Sequence, residues 1–228
     1  FEMTEEERLN RSVWVVECPD KDGFGDQGSA FFVDGVGLVT AYHCIDSGLP
    51  IKLFHPTDPA KIFNAKYVTG CRTRDIAILS HDVPDEIIGT LKLSAHKPSV
   101  SQHVRALGYP SYGPGKSLNI RRTEIVSWAT IHAVELLEVG TPISSGMSGG
   151  PLISANNEVV GIGHKGGADS AHNYCVLARN IEQVANEPKR RLQIRPRQRS
   201  PGATAVDYED LVWDRLFGPI SKALEKLK

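Results

Sequence analysis

Three short motifs hold residues able to carry out acyl transfer. The stretch GTPISSGMSGGPLIS (residues 140–154) surrounds Ser148 with Gly146, Gly149 and Gly150. Gly, Ser and Pro are common turn formers, so a plain surface loop is one reading. The other is a nucleophile held at a bend where backbone N–H groups converge on a reacting oxygen. LVTAYHCI places His43 directly after a β-type run, and TRDIAILS places Asp75 just before another. A serine hydroxyl is a poor nucleophile until a base takes its proton. An imidazole is that base, and a buried carboxylate fixes its tautomer and stabilises the imidazolium.

These residues lie far apart in the chain, so strands must bring them together. SVWVVE, SAFFV, GLVT, IKLF, FNAKYV and IAIL are short β-branched or aromatic runs separated by turn residues. After a connector near residues 95–101 the pattern resumes with HVRAL, NIRRTEIVSW, IHAVELLE, PLIS, EVVGI and NYCVLA. Many short strands without a helical period predict an all-β sandwich or barrel, in two halves of similar size. NIEQVANEPKR then reads as a short helix with Asn180 as its cap.

The domain plan is an N-terminal segment at 1–11, a first barrel at 12–97 and a second at 98–187. A basic, Pro-containing linker follows at 188–205, then an amphipathic helical segment at 206–228. The linker carries six cations between Lys189 and Arg199 and is expected to be solvated. The tail repeats Tyr208, Val212, Leu216, Ile220, Leu224 and Leu227 at helical spacing, interrupted by Gly218-Pro219. Docking on the chain's own barrel and a seam for a regulatory partner or further domain both fit this stripe.

The bulk numbers narrow the function. The net charge of −1 over 228 residues argues against an electrostatic nucleic-acid or membrane binder. An RNA-binding role for the basic run ranks last, because aromatics are not interleaved with it. No apolar run is long enough to cross a bilayer, and the acidic, polar start is unlike a secretory signal. Met3 reads as the native start, without leader or propeptide. The scattered cysteines Cys18, Cys44, Cys71 and Cys175 suggest free thiols, a reducing compartment and a cytoplasmic location. A zinc site on Cys44, Cys71 and His81 is conceivable but lacks paired-ligand spacing. No cofactor is expected.

Taken together, GSAFFVDGVGLVTAYHC, RDIAIL, ALGYP, GMSGGPLI and EVVGIG resemble the trypsin-like serine peptidases. The nearest resemblance is to the intracellular and periplasmic branch containing the high-temperature-requirement stress proteases. It covers roughly residues 12–185 and follows the His, Asp, Ser order of this fold. It implies two packed six-stranded antiparallel β-barrels, here followed by C-terminal helices. His43 and Asp75 would come from the first barrel and Ser148 from the second. The N–H groups of Gly146 and Ser148 would form the oxyanion hole, each donor worth ~3–4 kcal/mol in the transition state. The implied activity is endopeptidase cleavage of a protein or peptide.

Departures from the family pattern are informative. The residue before Ser148 is Met147, where secreted members place the aspartate that pairs with a new N-terminus. No residue among Asp26–Ser29 offers Cys44 a disulfide partner. Both point to a non-secreted enzyme, controlled by loop ordering or by a partner. In the expected specificity pocket, Pro142 stands six residues before Ser148 and is followed by Ile143. GIGHKGGADS should form the opposite wall, with His164, Lys165 and Gly166 nearest the substrate. An apolar pocket on Ile143, an acid-preferring one on His164 and Lys165, and a base-preferring one on Asp169 all remain open. His164 also reads as a wall residue hydrogen-bonded to its surroundings. The competing reading of the whole chain is a catalytically silent or latent barrel that binds proteins as a scaffold.

Overall fold

The structure, a computed structural model, describes residues 3–19, 25–48, 50–110, 116–164 and 173–194. The first barrel contains β1 (Val13–Pro19), β2 (Gly25–Val33), β3 (Gly37–Thr40), β4 (Ile51–His55), β5 (Asp58–Cys71) and β6 (Ile76–His81). These close in the order β1-β2-β3-β6-β5-β4, with every neighbouring pair antiparallel. A connector containing the short strand β7 (Lys92–Leu93) leads to the second barrel. That barrel contains β8 (His103–Gly108), β9 (Asn119–Ile131), β10 (Val134–Val139), β11 (Pro151–Ile153), β12 (Glu158–Gly163) and β13 (Tyr174–Leu177). Its order is β11-β8-β9-β10-β13-β12, closed by pairing of β11 with β12. Outside this ring, β7 lies parallel to β12.

The continuous apolar character of many strands follows from burial on both faces. Alternate side chains point to opposite sides of a strand. On β1, Trp14, Val16 and Cys18 enter the interior of the first barrel, in a cluster drawing on all six of its strands. Val13 and Val15 point the other way, into a cluster shared with Leu107, Val134, Ile153 and Val176 of the second barrel. β2 and β6 divide in the same manner, Phe32 and Leu79 inward, Phe31 and Ile78 toward the shared cluster. Val104, Ile125, Leu137, Leu152, Val160 and Cys175 fill the second barrel. The shared cluster packs the two barrels against each other.

Among the described residues, two α-helices frame this pair. α1 (Glu5–Ser12) starts with a capping box in which the Thr4 hydroxyl accepts from Glu7 N at 3.2 Å while Thr4 N donates to Glu7 at 2.8 Å. Such reciprocal bonds satisfy two donors that a helix start leaves open. α2 (Arg179–Asn186) buries Ile181 and Val184 in the shared cluster.

Two local expectations change. Asn180 does not cap α2: the helix begins a residue earlier, and Asn180 Nδ2 donates to the Leu177 carbonyl at 3.1 Å. IHAVELLE is not one strand, because His132 and Ala133 turn back between β9 and β10 with φ of 50° and 61°. Neither residue carries the usual Asn-Gly signal of such a turn. The first part of the basic run keeps Lys189, Arg190 and Arg191 exposed, as expected, but its backbone is tied to the first barrel. Gln193 N donates to the Tyr42 hydroxyl at 2.6 Å, Arg190 N donates to Thr69 at 3.4 Å, and Leu192 packs on the first-barrel core. The remainder of the run and the segment 206–228 lie outside the described residues.

Candidate active site

β3 and β6 are hydrogen-bonded neighbours, Thr40 opposite Ala77, so the end of one lies beside the start of the other. A 3₁₀ turn, Tyr42–Cys44, follows β3 and presents His43, and Asp75 stands just before β6. Asp75 has φ of 53°, a left-handed conformation that aspartate tolerates better than most side chains. Its backbone carbonyl accepts from Tyr42 N at 3.1 Å, and Oδ1 accepts from His43 N at 2.9 Å. Asp75 Oδ2 lies 2.7 Å from His43 Nδ1. A carboxylate only accepts, so His43 Nδ1 carries a proton, and in the neutral ring the lone pair is on Nε2.

Electrostatics reinforce this polarity. Burial opposes charging of His43, yet its bond to Asp75, the neighbouring Cys44 thiol and the Asp75 charge together raise its pKa. Burial would also push Asp75 up, but its bonds to His164 and His43 hold it below the usual carboxylate range. Asp75 is therefore a buried anion facing a ring made more basic than free imidazole.

Ser148 lies on the loop between β10 and β11. Gly146 and Gly149 have φ of 90° and 81°, where an L side chain is strained. A Cβ on Gly149 would lie 2.3 Å from the Ser29 carbonyl oxygen, 2.5 Å from Thr40 Oγ1 and 2.7 Å from Ala41 N. The bare loop is thus what lets the second barrel press on the segment just ahead of His43. Ser29 pins both sides of the bend: its N–H donates to the Ser148 carbonyl at 2.8 Å, and its hydroxyl donates to the Gly146 carbonyl at 2.7 Å. The N–H groups of Met147, Gly149 and Gly150 are taken by Ser144, Gly163 and Met147 carbonyls. Among the described residues, those of Gly146 and Ser148 have no acceptor, so both are free for an incoming oxyanion. Also among the described residues, no hydrogen bond joins the Ser148 hydroxyl to His43.

The expected pocket residues fall in different places. Ile143 is buried in the second-barrel cluster, and its N–H donates to Asn173 Oδ1 at 3.3 Å. Arg121 holds the loop nearby, donating to the Pro142 carbonyl at 2.8 Å and to the Ser144 hydroxyl at 2.7 Å. His164 reaches into the site, with Nδ1 2.6 Å from Asp75 Oδ2. Lys165, Gly166 and Asp169 lie outside the described residues. Ser29 and Arg121 escaped sequence reading. Neither offers a local signal: Ser29 stands where the polar first half of β2 meets its apolar second half, and Arg121 stands in an ordinary half-polar strand.

His43, Asp75 and His164 could also be viewed as metal ligands, since one atom from each lies within 4.8 Å of the others. Ligand atoms around a tetrahedral zinc stand roughly 3.3 Å apart. The two nitrogen-to-oxygen distances here, 2.7 and 2.6 Å, are hydrogen-bond lengths. The suggested zinc grouping of Cys44, Cys71 and His81 does not assemble among the described residues. Cys44 instead faces Gly28, where a Cβ would lie 2.4 Å from its sulfur, and His81 packs on Phe32. All four cysteines are buried free thiols.

Residues 28–162 match the family model of the trypsin-like peptidase domain. The chain belongs to the trypsin-like peptidase family. The chloroplastic protease Do-like 2 of Arabidopsis thaliana is 30% identical over 144 residues, 61% of this chain and 24% of that protein. The chain thus spans about a quarter of that relative's length. A protease of M. tuberculosis in its active form superposes with a TM-score of 0.68 at 19% identity, covering 86% of each chain. A serine endoprotease of Yersinia pestis gives 0.65 at 18% identity, covering 81% of this chain and 66% of the other. These structural likenesses carry the two-barrel fold, and the Do-like relative agrees with the stress-protease branch that the motifs resemble.

Proposed function

We propose that this chain is a serine endopeptidase domain acting through Ser148, His43 and Asp75. His43 Nε2 takes the hydroxyl proton as Ser148 Oγ attacks the scissile carbonyl. The N–H groups of Gly146 and Ser148 stabilise the oxyanion. Asp75 holds the tautomer and offsets the positive charge on the ring. Collapse of the tetrahedral species passes the proton to the leaving amine and leaves an acyl-enzyme, which water then hydrolyses by the same route. Because Asp75 raises the pKa of His43, the neutral base form, and turnover with it, increases as pH rises through that raised value.

The observation carrying this reading is the free pair of N–H groups on a loop held against the first barrel, together with the buried Asp75 carboxylate bonded to the half-buried His43. A fluorophosphonate probe should label the wild-type protein on Ser148. Ser148→Ala should abolish labelling and cut peptide cleavage by about 10⁴-fold or more. Labelling that survives the substitution removes Ser148 from the role.

Met147 stands where secreted relatives carry the activating aspartate, which supports control by loop ordering or by a partner. Cleavage assays with and without the protein's natural assembly distinguish this latent enzyme from a silent scaffold. The free buried thiols support work in a reducing compartment, with the cytoplasm as the proposed location.

A further inference from the structure

We infer that His164 is a positioning residue that shares the Asp75 carboxylate with His43 and holds it in the orientation the base requires. This rests on the proposed triad. The carboxylate is buried, and burying an anion is costly unless hydrogen bonds replace the lost water. Oδ1 has one donor, His43 N at 2.9 Å. Oδ2 has two, His43 Nδ1 at 2.7 Å and His164 Nδ1 at 2.6 Å. Since Oδ2 cannot donate, both imidazoles carry their proton on Nδ1.

The two rings stand nearly perpendicular, 82° apart, with centroids separated by 6.2 Å, so they approach the oxygen from different directions. His43 donors alone leave the carboxylate anchored from one side. The His164 donor comes from the second barrel, directly after β12, and its N–H donates to the Tyr174 carbonyl at 3.2 Å. It therefore ties the anion of one barrel to the wall of the other. This is a different role from a specificity wall, since the Nδ1 face of the ring is committed to Asp75.

The donor, not the charge, is the essential feature, which a pair of substitutions tests. His164→Asn keeps an N–H that can reach Asp75, and His164→Leu removes it. Steady-state kinetics on a peptide substrate should show kcat reduced about ten- to hundredfold in His164→Leu, with KM changed less than about twofold. His164→Asn should recover most of that loss. NMR of the histidine side chains supplies a readout independent of turnover: the His43 Nδ1 proton should shift in His164→Leu and return toward wild type in His164→Asn. Equal kcat in all three proteins, with an unmoved His43 signal, overturns the inference. So does a change in KM or side-chain preference at constant kcat, which would make His164 a pocket wall. If wild-type protein neither cleaves nor labels, the peptidase reading fails, while the NMR comparison still decides whether His164 orders the Asp75–His43 pair.

Discussion

Ser29 shows how much depends on one buried hydroxyl. Its oxygen donates to the Gly146 carbonyl at 2.7 Å and accepts from Tyr109 N at 3.0 Å. Ser29→Ala leaves the buried Gly146 carbonyl without that donor, at about 1–3 kcal/mol. The loop presenting the free N–H pair then loses the bond that orients the Gly146 peptide. The expected outcome is a fall in kcat of about tenfold or more with little change in KM, alongside a lower melting temperature. A stable variant with wild-type kcat would show that the loop holds itself. At this scale the types and order of His43, Asp75 and Ser148 were readable, because each sits in a short motif whose glycines or strand edges mark it. The bond between His164 and Asp75 was not. It joins residues 89 positions apart, and nothing local to either announces the other.

The elements were legible where burial on two faces left continuous apolar runs, and obscure where a turn formed without turn residues. His132 and Ala133 both adopt positive φ at the β9–β10 turn. An L residue in that conformation costs about 1–2 kcal/mol, whereas glycine trades this for a smaller entropy loss. Ala133→Gly should therefore stabilise the protein by roughly 0.5–1 kcal/mol, raising the melting temperature by about 1–4 °C. Differential scanning calorimetry checks the sign, and a decrease would mean that the turn is not strained. The same reasoning explains the mistaken continuous strand: β-branched and apolar flanks dominate the local pattern, and cross-strand pairing imposes the reversal.

The two barrels act as one body because their facing surfaces share an apolar cluster and a few directional ties. Tyr109, from ALGYP, crosses between them. Its hydroxyl donates to the Val13 carbonyl at 3.1 Å, and its N–H reaches Ser29. Tyr109→Phe keeps the ring and removes the hydroxyl, which should cost about 1 kcal/mol and lower the melting temperature by roughly 2–4 °C. A thermal unfolding curve identical to wild type would show that the Tyr109 hydroxyl adds nothing to the inter-barrel hold. By itself the sequence determined strand-rich halves and three chemically suited residues, because strand patterning and tight turns are written in neighbouring side chains. Only the tertiary structure decided that Ser29 clamps the loop, that His164 shares the carboxylate, and that the start of the basic run lies on the first barrel. Those relations arise when closing the barrels brings distant polar groups into shared burial, where each must find a hydrogen-bond partner.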